Sequence, residues 1–417
     1  MATANSSYLS RIGAKDTLLL FSLVLFLFFA TSTLWIPAYW PVAVFEIGVF
    51  AVAGIALVVG RVPSHSASFP LFTLSFIVLW GGLQLVSGST VDRFVTERAT
   101  LQWMTWAAVY FVGVVTLKRE EPARLARSVM VWFAFVLSVE AILQAFLSPG
   151  VVFGLFPTGY HDFVMGPIVY HTHYAAVIEA VFPIALFRAF HRTKESNLFL
   201  GISAVLLTSM VVSASRGGLV ISFAEVIGVL VLSHLQKTRE ERRIGFLIVC
   251  LLAATAILCV IVGFETTSER FYSEALARGR IQFAISTLHM IAARPWVGWG
   301  LGCWPAVYPA FATFDPGVIV NQAHSDWLQW SAEGGVPVGV AMLALAAWSV
   351  KPAIRSIWGI GVLAVLVHAA FDYPFSRPAV GAWPILILAM AAASGRRDAS
   401  VDLGGNEELE NSAAIQG

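Results

Sequence analysis

Residues 17–36 read TLLLFSLVLFLFFATSTLWI, a stretch without one charged side chain. A helix rises 1.5 Å per residue, so about twenty apolar residues cover the roughly 30 Å hydrocarbon core of a bilayer. Trp35, Pro37, Tyr39 and Trp40 stand where a signal peptide would need small residues for cleavage, so the segment reads as a retained helix. Working outward, similar stretches recur at 40–60, 69–87, 100–117, 128–147, 172–190, 197–214, 217–235, 244–264, 335–350, 353–371 and 378–394. Lipid offers the backbone no hydrogen-bond partner, so segments of this length must be helices. The fold expected is therefore all-α, a polytopic integral membrane protein of about twelve transmembrane helices.

Composition agrees. Of 417 residues, 58% are hydrophobic and 12% charged, about half the charge of a soluble domain, and the net charge of +1 carries no nucleic-acid signature. Cys250, Cys259 and Cys303 match neither a disulfide framework nor a CxxC metal site.

An even number of spans puts both termini on one side. Eight of the 26 cations fall on the opposite side: Arg93, Arg98, Arg216, Arg270, Arg278, Arg280, Arg294 and Arg377. The other eighteen, including every lysine, fall with the termini, which the positive-inside rule makes cytoplasmic. The expected organisation is a cytoplasmic N-terminus (1–16), helices one to nine (17–264), an extracytoplasmic catalytic loop (265–334), helices ten to twelve (335–394) and a polar, disordered cytoplasmic tail (395–417).

Guanidinium groups bind phosphate or carboxylate oxygens in pairs, so an all-arginine outer set suggests an anionic ligand such as a lipid-linked phosphate. Arg93 and Arg98 sit beside Asp92 and Glu97, and local ion pairing is the plainer reading for those two. Arg216, in Ser213-Ala214-Ser215-Arg216-Gly217-Gly218, lies at a junction of two helices, where an arginine is a functional candidate by default.

In the long loop, 280–293 reads as a helix with an apolar stripe of Ile281, Ile285, Leu288 and Ala292, ending at Arg294-Pro295. Gly298, Gly300 and Gly302 look like backbone punctuation for a tight turn, since no strand precedes them as a nucleotide-binding loop requires. Asn321 is a candidate N-cap and Gly334 a candidate C′ residue, which would put His324 in the first turn of a helix. There the helix dipole would keep the imidazole neutral, fit to act as a general base on a hydroxyl, although a merely capping histidine is an equal alternative on these residues alone. His171 and His173 at the entrance to the sixth span are poorly spaced for a metal, and substrate contact or a helix-entrance role suits them better.

Several motifs in order carry a family resemblance: Gly166-Pro167 followed by His171-Thr172-His173-Tyr174; Ser215-Arg216-Gly217-Gly218; Gly279-Arg280; Arg294-Pro295 with the glycine turn; Ala323-His324-Ser325-Asp326-Trp327-Leu328 with Glu333-Gly334-Gly335; and His368-Ala369-Ala370-Phe371-Asp372-Tyr373-Pro374. From about 160 to 394 the chain resembles the bacterial O-antigen ligase and polymerase superfamily. The resemblance implies a GT-C-like glycosyltransferase of the bacterial inner membrane that uses a glycan on undecaprenyl diphosphate at the extracytoplasmic face, without metal or cofactor. It implies that His324 acts on the acceptor hydroxyl and that Arg216 and Arg280 hold the donor diphosphate, with Arg278, Asp326 and His173 in a second tier. The acceptor would be a lipid A core sugar for a ligase, or a growing polysaccharide for a repeat-unit polymerase. A transporter of glycan or lipid-linked substrate is the competing class, resting on the intramembrane acids Glu46, Glu140, Glu179 and Glu225.

Overall fold

A computed structural model describes residues 2–61, 67–117, 120–159, 164–190, 195–236, 242–262, 274–314, 317 and 319–394. Helices α1 (Ala2–Ser32), α2 (Trp40–Val58), α3 (Ser68–Ser87), α4 (Arg93–Thr116) and α5 (Glu120–Leu147) come first. After a two-residue hairpin of β1 (Val151–Val152) and β2 (Phe156–Pro157) come α6 (His171–Phe190), α7 (Ser196–Val212), α8 (Arg216–Leu235) and α9 (Arg242–Val262). The loop region holds α10 (Glu274–Ala293) and the single turn α11 (Trp304–Val307); α12 (Asp326–Ser356), α13 (Gly361–His368) and α14 (Pro378–Ser394) complete the chain. Eight of these helices are long and apolar enough to cross a membrane, and four shorter apolar helices accompany them. Apart from the small hairpin, the described residues build the helical membrane protein that the apolar periodicity predicts.

The interior is organised around α6. Apolar or small side chains surround it on every side, the pattern of a helix with no solvent or lipid face, and it is buried along almost its whole length. Aromatic stacking closes the other half of the bundle: Phe28 on α1 stacks on Phe133 of α5 at 4.0 Å, and Phe133 on Trp383 of α14 at 5.7 Å.

The loop after α10 is clamped to the end of α3 by one side chain. Gln84 donates to the carbonyls of Val297 (2.7 Å) and Glu333 (2.9 Å) and accepts from the Leu301 amide (3.0 Å). A buried carboxamide with both ends satisfied avoids the cost of a stranded polar group and fixes the loop's position. The glycines serve as read: Gly298, Gly300 and Gly302 all have positive φ, and a Cβ on Gly298 would run into the Glu333 carbonyl.

Three local details refine the reading of the chain. The helix after His324 begins at Asp326, capped by Ser325 whose hydroxyl accepts from the Leu328 amide, so Asn321 is not the N-cap and His324 precedes the helix. Its helical backbone is interrupted at Gly335 (φ 74°, ψ 178°), one residue beyond the expected C′ position Gly334, and a second helix runs on directly to Ser356. The cause lies in the tertiary packing: Gly335 sits against the carbonyls of Pro295 and Trp296, and the Val336 amide, freed by the kink, donates to Pro295 O at 2.7 Å. Finally, the stripe on α10 faces away from the protein, with Ile281 61% and Leu288 52% exposed. The face that packs inward is Phe283, Ser286, Thr287 and Met290, anchored by the Trp304 indole donating to Thr287 at 3.0 Å. Helical periodicity identifies an apolar face, but not which of two faces the rest of the protein will cover.

Candidate functional site

The residues singled out from sequence converge on the segment that joins α13 to α14, residues 369–377. Asp326 holds that segment in place. Its backbone amide donates to the carbonyls of Ala369 (2.9 Å) and Asp372 (3.1 Å), and its carboxylate accepts from the Phe375 amide (2.9 Å). Asp326 thus supports the site by shaping the loop beneath His324.

His324 has φ of +54°, a left-handed conformation that costs a residue with a Cβ roughly 1–2 kcal/mol. The fold sustains it by packing the imidazole between two rings. Phe283 of α10 stacks on it at 5.6 Å, and Tyr373 meets it edge-on at 4.9 Å. Nδ1 is buried and has no hydrogen-bond partner among the described residues. Burial pushes the His324 pKa below its usual value, with the Arg280 charge adding in the same direction against the opposing pull of Asp372. The ring is therefore neutral at physiological pH, as expected, but burial is the main cause, and the dipole of a helix containing it is not.

Arg280 is oriented by the same segment. Its guanidinium donates to Phe371 O (3.2 Å) and pairs with the buried Asp372 carboxylate (3.2 Å), while Nε has no partner and the side chain stays 38% exposed. Each terminal nitrogen thus commits one N–H to the segment and keeps a second uncommitted, while Nε is buried. Arg216 is the first residue of α8, behind Ser215, whose hydroxyl caps the Gly218 amide at 3.2 Å. It is exposed and makes no ion pair among the described residues. Gly217 explains its placement: a Cβ there would strike the Phe371 ring, so only glycine lets α8 start this close to the segment that also holds Arg280. The residue preceding the cap, Ala214, has φ of +53°. Of the four non-glycine residues with positive φ among the described residues, one is His324 and another, Ala214, lies two positions before Arg216; backbone strain tends to collect at such sites.

His173 is buried, with Nε2 3.2 Å from Tyr373 O and 3.3 Å from the Ser376 hydroxyl, so it braces the segment from α6. His171 lies 2.9 Å from Ser213 O, at the turn before Arg216. Arg278 lies on α10, but its side chain falls outside the described residues. Three aromatic or acidic members were not predicted: Asp372, Tyr373 and Tyr170, whose ring stacks on Tyr373 at 5.3 Å. Burial raises both phenol pKa values, keeping the hydroxyls protonated as donors. The Asp372-Tyr373-Pro374 motif was the available signal, but chain order alone could not show that it meets Arg280.

Of the other outer arginines, Arg93 pairs with Glu97 at 3.0 Å, whereas Arg98 lies over the Tyr39 ring at 3.1 Å instead of pairing with Glu97. Arg294 lies over Trp299 and donates to Ser89 O; Arg270 lies outside the described residues. Most intramembrane acids have local partners: Glu46 accepts from Tyr39, Glu140 from the Phe153 amide, and Glu179 pairs with His368 at 2.9 Å. The Glu225 oxygens have none among the described residues. No group of three His, Cys, Asp or Glu side chains is placed to share a metal ion, among the described residues.

Fold and site define a polytopic membrane protein with a neutral histidine and arginines gathered at one end of its helices. Residues 201–343 match the family described as O-antigen ligase, which supports the resemblance to the ligase and polymerase superfamily. The match contains Arg216, Arg278, Arg280, His324 and Asp326; His173 and the 369–377 segment lie outside it. No curated protein matches the chain.

Proposed function

We propose that the protein transfers a glycan from undecaprenyl diphosphate to an acceptor hydroxyl, as an O-antigen ligase, on the extracytoplasmic face of the bacterial inner membrane, with both termini cytoplasmic. The observation that carries this is the pairing of a neutral, unpartnered His324 with the half-committed guanidinium of Arg280 on one short segment. His324 removes the proton of the incoming hydroxyl as its oxygen bonds to the anomeric carbon. The bond from that carbon to the diphosphate oxygen breaks, its electron pair leaves with the diphosphate, and the sugar carbon inverts. Arg280 and Arg216, with the free amides at the α8 N-terminus, stabilise the departing charge without a metal ion. Polymerisation would use the same chemistry with another repeat unit as acceptor.

The test is His324→Ala, checked for membrane insertion and amount, in a strain lacking the native gene. Transfer is expected to fall about 10²–10⁴-fold, the usual contribution of a positioned general base. Unimpaired transfer by the inserted variant overturns the assignment. Free lipid-linked polymer accumulating without attachment marks a ligase, and loss of long chains marks a polymerase.

A further inference from the structure

Next to the first turn of α12, and distinct from the His324 cluster, is a cavity of about 300 Å³. That is the small end of ligand cavities, about 300–1,000 Å³, with room for a sugar ring but not for an extended chain. One wall is aromatic: Trp103, Trp106, Trp330 and Phe375 pack edge to face with centroids 4.8–5.9 Å apart. Much of the remaining lining is planar and polar. Gln102, Gln322, Gln329, Asp326 and Glu333 line the cavity, and Arg98 and the exposed Arg377 line it too. Several are already fixed: Gln102 donates to Phe375 O at 2.8 Å, and Gln329 bridges the Ala323 amide and Glu333 at 3.0 Å each. The Gln322 carboxamide oxygen is buried with no partner among the described residues.

This wall chemistry selects a ligand. An acyl chain would strand the carboxyl and carboxamide groups, and a diphosphate would leave the aromatic wall without a partner. A neutral pyranose fits both sides. Its C–H face packs on aromatic rings, and its hydroxyls both donate to carboxylates and accept from carboxamide and guanidinium N–H groups. We propose that the cavity is a saccharide subsite, holding one neutral sugar ring of the glycan substrate beside His324. The inference rests on the transferase reading and names the part of the substrate recognised there. It also divides the labour around α12, with the diphosphate among arginines and the sugar among tryptophans.

The test is equilibrium binding to the full-length protein in nanodiscs, read by tryptophan fluorescence. The probes are glucose, galactose and N-acetylglucosamine, with inorganic pyrophosphate as competitor. At least one sugar is expected to give a saturable response, weakened tenfold or more in Gln322→Leu and in Gln102→Leu, and not competed by pyrophosphate. Two glutamine variants are used so that one misfolded protein does not decide the result. The proposal is overturned if no sugar responds, if both folded glutamine variants bind as the native protein does, or if pyrophosphate displaces the sugar. Failure of the transferase reading looks different: sugar binding persists, but the native protein forms no new glycosidic bond from lipid-linked glycan. With lipid-linked glycan purified from the producing strain, a raised KM for that donor in Gln322→Leu assigns the ring to the donor, and a raised acceptor KM assigns it to the acceptor.

Discussion

On one side of the α12 N-terminus, His324 shares a short segment with Arg280, and Arg216 lies near by through Phe371; on the other, Asp326 and Glu333 face Trp103, Trp106 and Trp330. The first side gathers arginines around a neutral base; the second combines aromatic rings with carboxamide and carboxyl groups and two arginines, Arg98 and Arg377. A single helical turn separates them, and its backbone is shared: Ser325 caps the helix, and Asp326 both ties down 369–375 and lines the aromatic cavity. On the proposed reading, the two sides keep an anionic leaving group and a polyhydroxylated ring apart without a separate domain. Wall chemistry sorts one from the other, because guanidinium groups suit a diphosphate whereas aromatic rings and carboxamides suit a sugar ring.

That contrast can be broken from the cationic side. After His324→Ala, the largest effect is expected from Arg280→Ala, which removes a fixed donor aimed at developing charge and should lower transfer about 10²–10³-fold. Arg280→Lys should recover only part of this, because an ammonium cannot hold Asp372 and a phosphate oxygen through two edges of one planar group. Recovery to native rates by the lysine would show that charge alone suffices. Single-turnover transfer in proteoliposomes makes the measurement.

Next comes the shared turn. Gly335→Ala places a Cβ against the Trp296 carbonyl at a positive φ, so a loss of about 1–3 kcal/mol is expected, read as a lower unfolding midpoint in detergent. Because the kink also receives the glycine turn, sugar binding and transfer should fall together. A variant that lost one and kept the other would show the two sides to be less coupled than the backbone suggests.

The smallest effect is the pH dependence. The folded-state pKa of His324 lies below the usual 6.5, so the base is already neutral near pH 7 and transfer should be flat there. Activity should fall only on an acid limb below 6.5, and that limb should vanish in His324→Ala. For stability, the unfolded chain binds the proton more readily. The contribution is therefore fully present above pH 6.5 and lost as pH falls below it toward the folded value. An acid limb centred above 6.5 would mean that burial does not govern this ring.

Much of this was legible in the chain. Apolar runs such as 17–36 announce membrane helices, because hydrocarbon leaves the backbone no other choice. His324, Arg216 and Arg280 stood out by residue type and motif order, and all three lie within the matched stretch 201–343. The partner of Arg280 was not legible: Asp372 lies 92 positions away, and nothing in either segment's periodicity joins them. Nor could the α10 pattern reveal that Phe283 would turn inward onto His324 while Ile281 and Leu288 turn out.

The sequence by itself determined the helices, their apolar character and the kinds of side chain available for chemistry, since each depends on local pattern and the surrounding solvent. Only the tertiary structure decided which arginine is held by a carboxylate, why the histidine is neutral, where α12 begins and bends, and that a ring of tryptophans faces buried acids. Those outcomes depend on contacts between distant segments, where burial and steric fit set the energies and chain order does not.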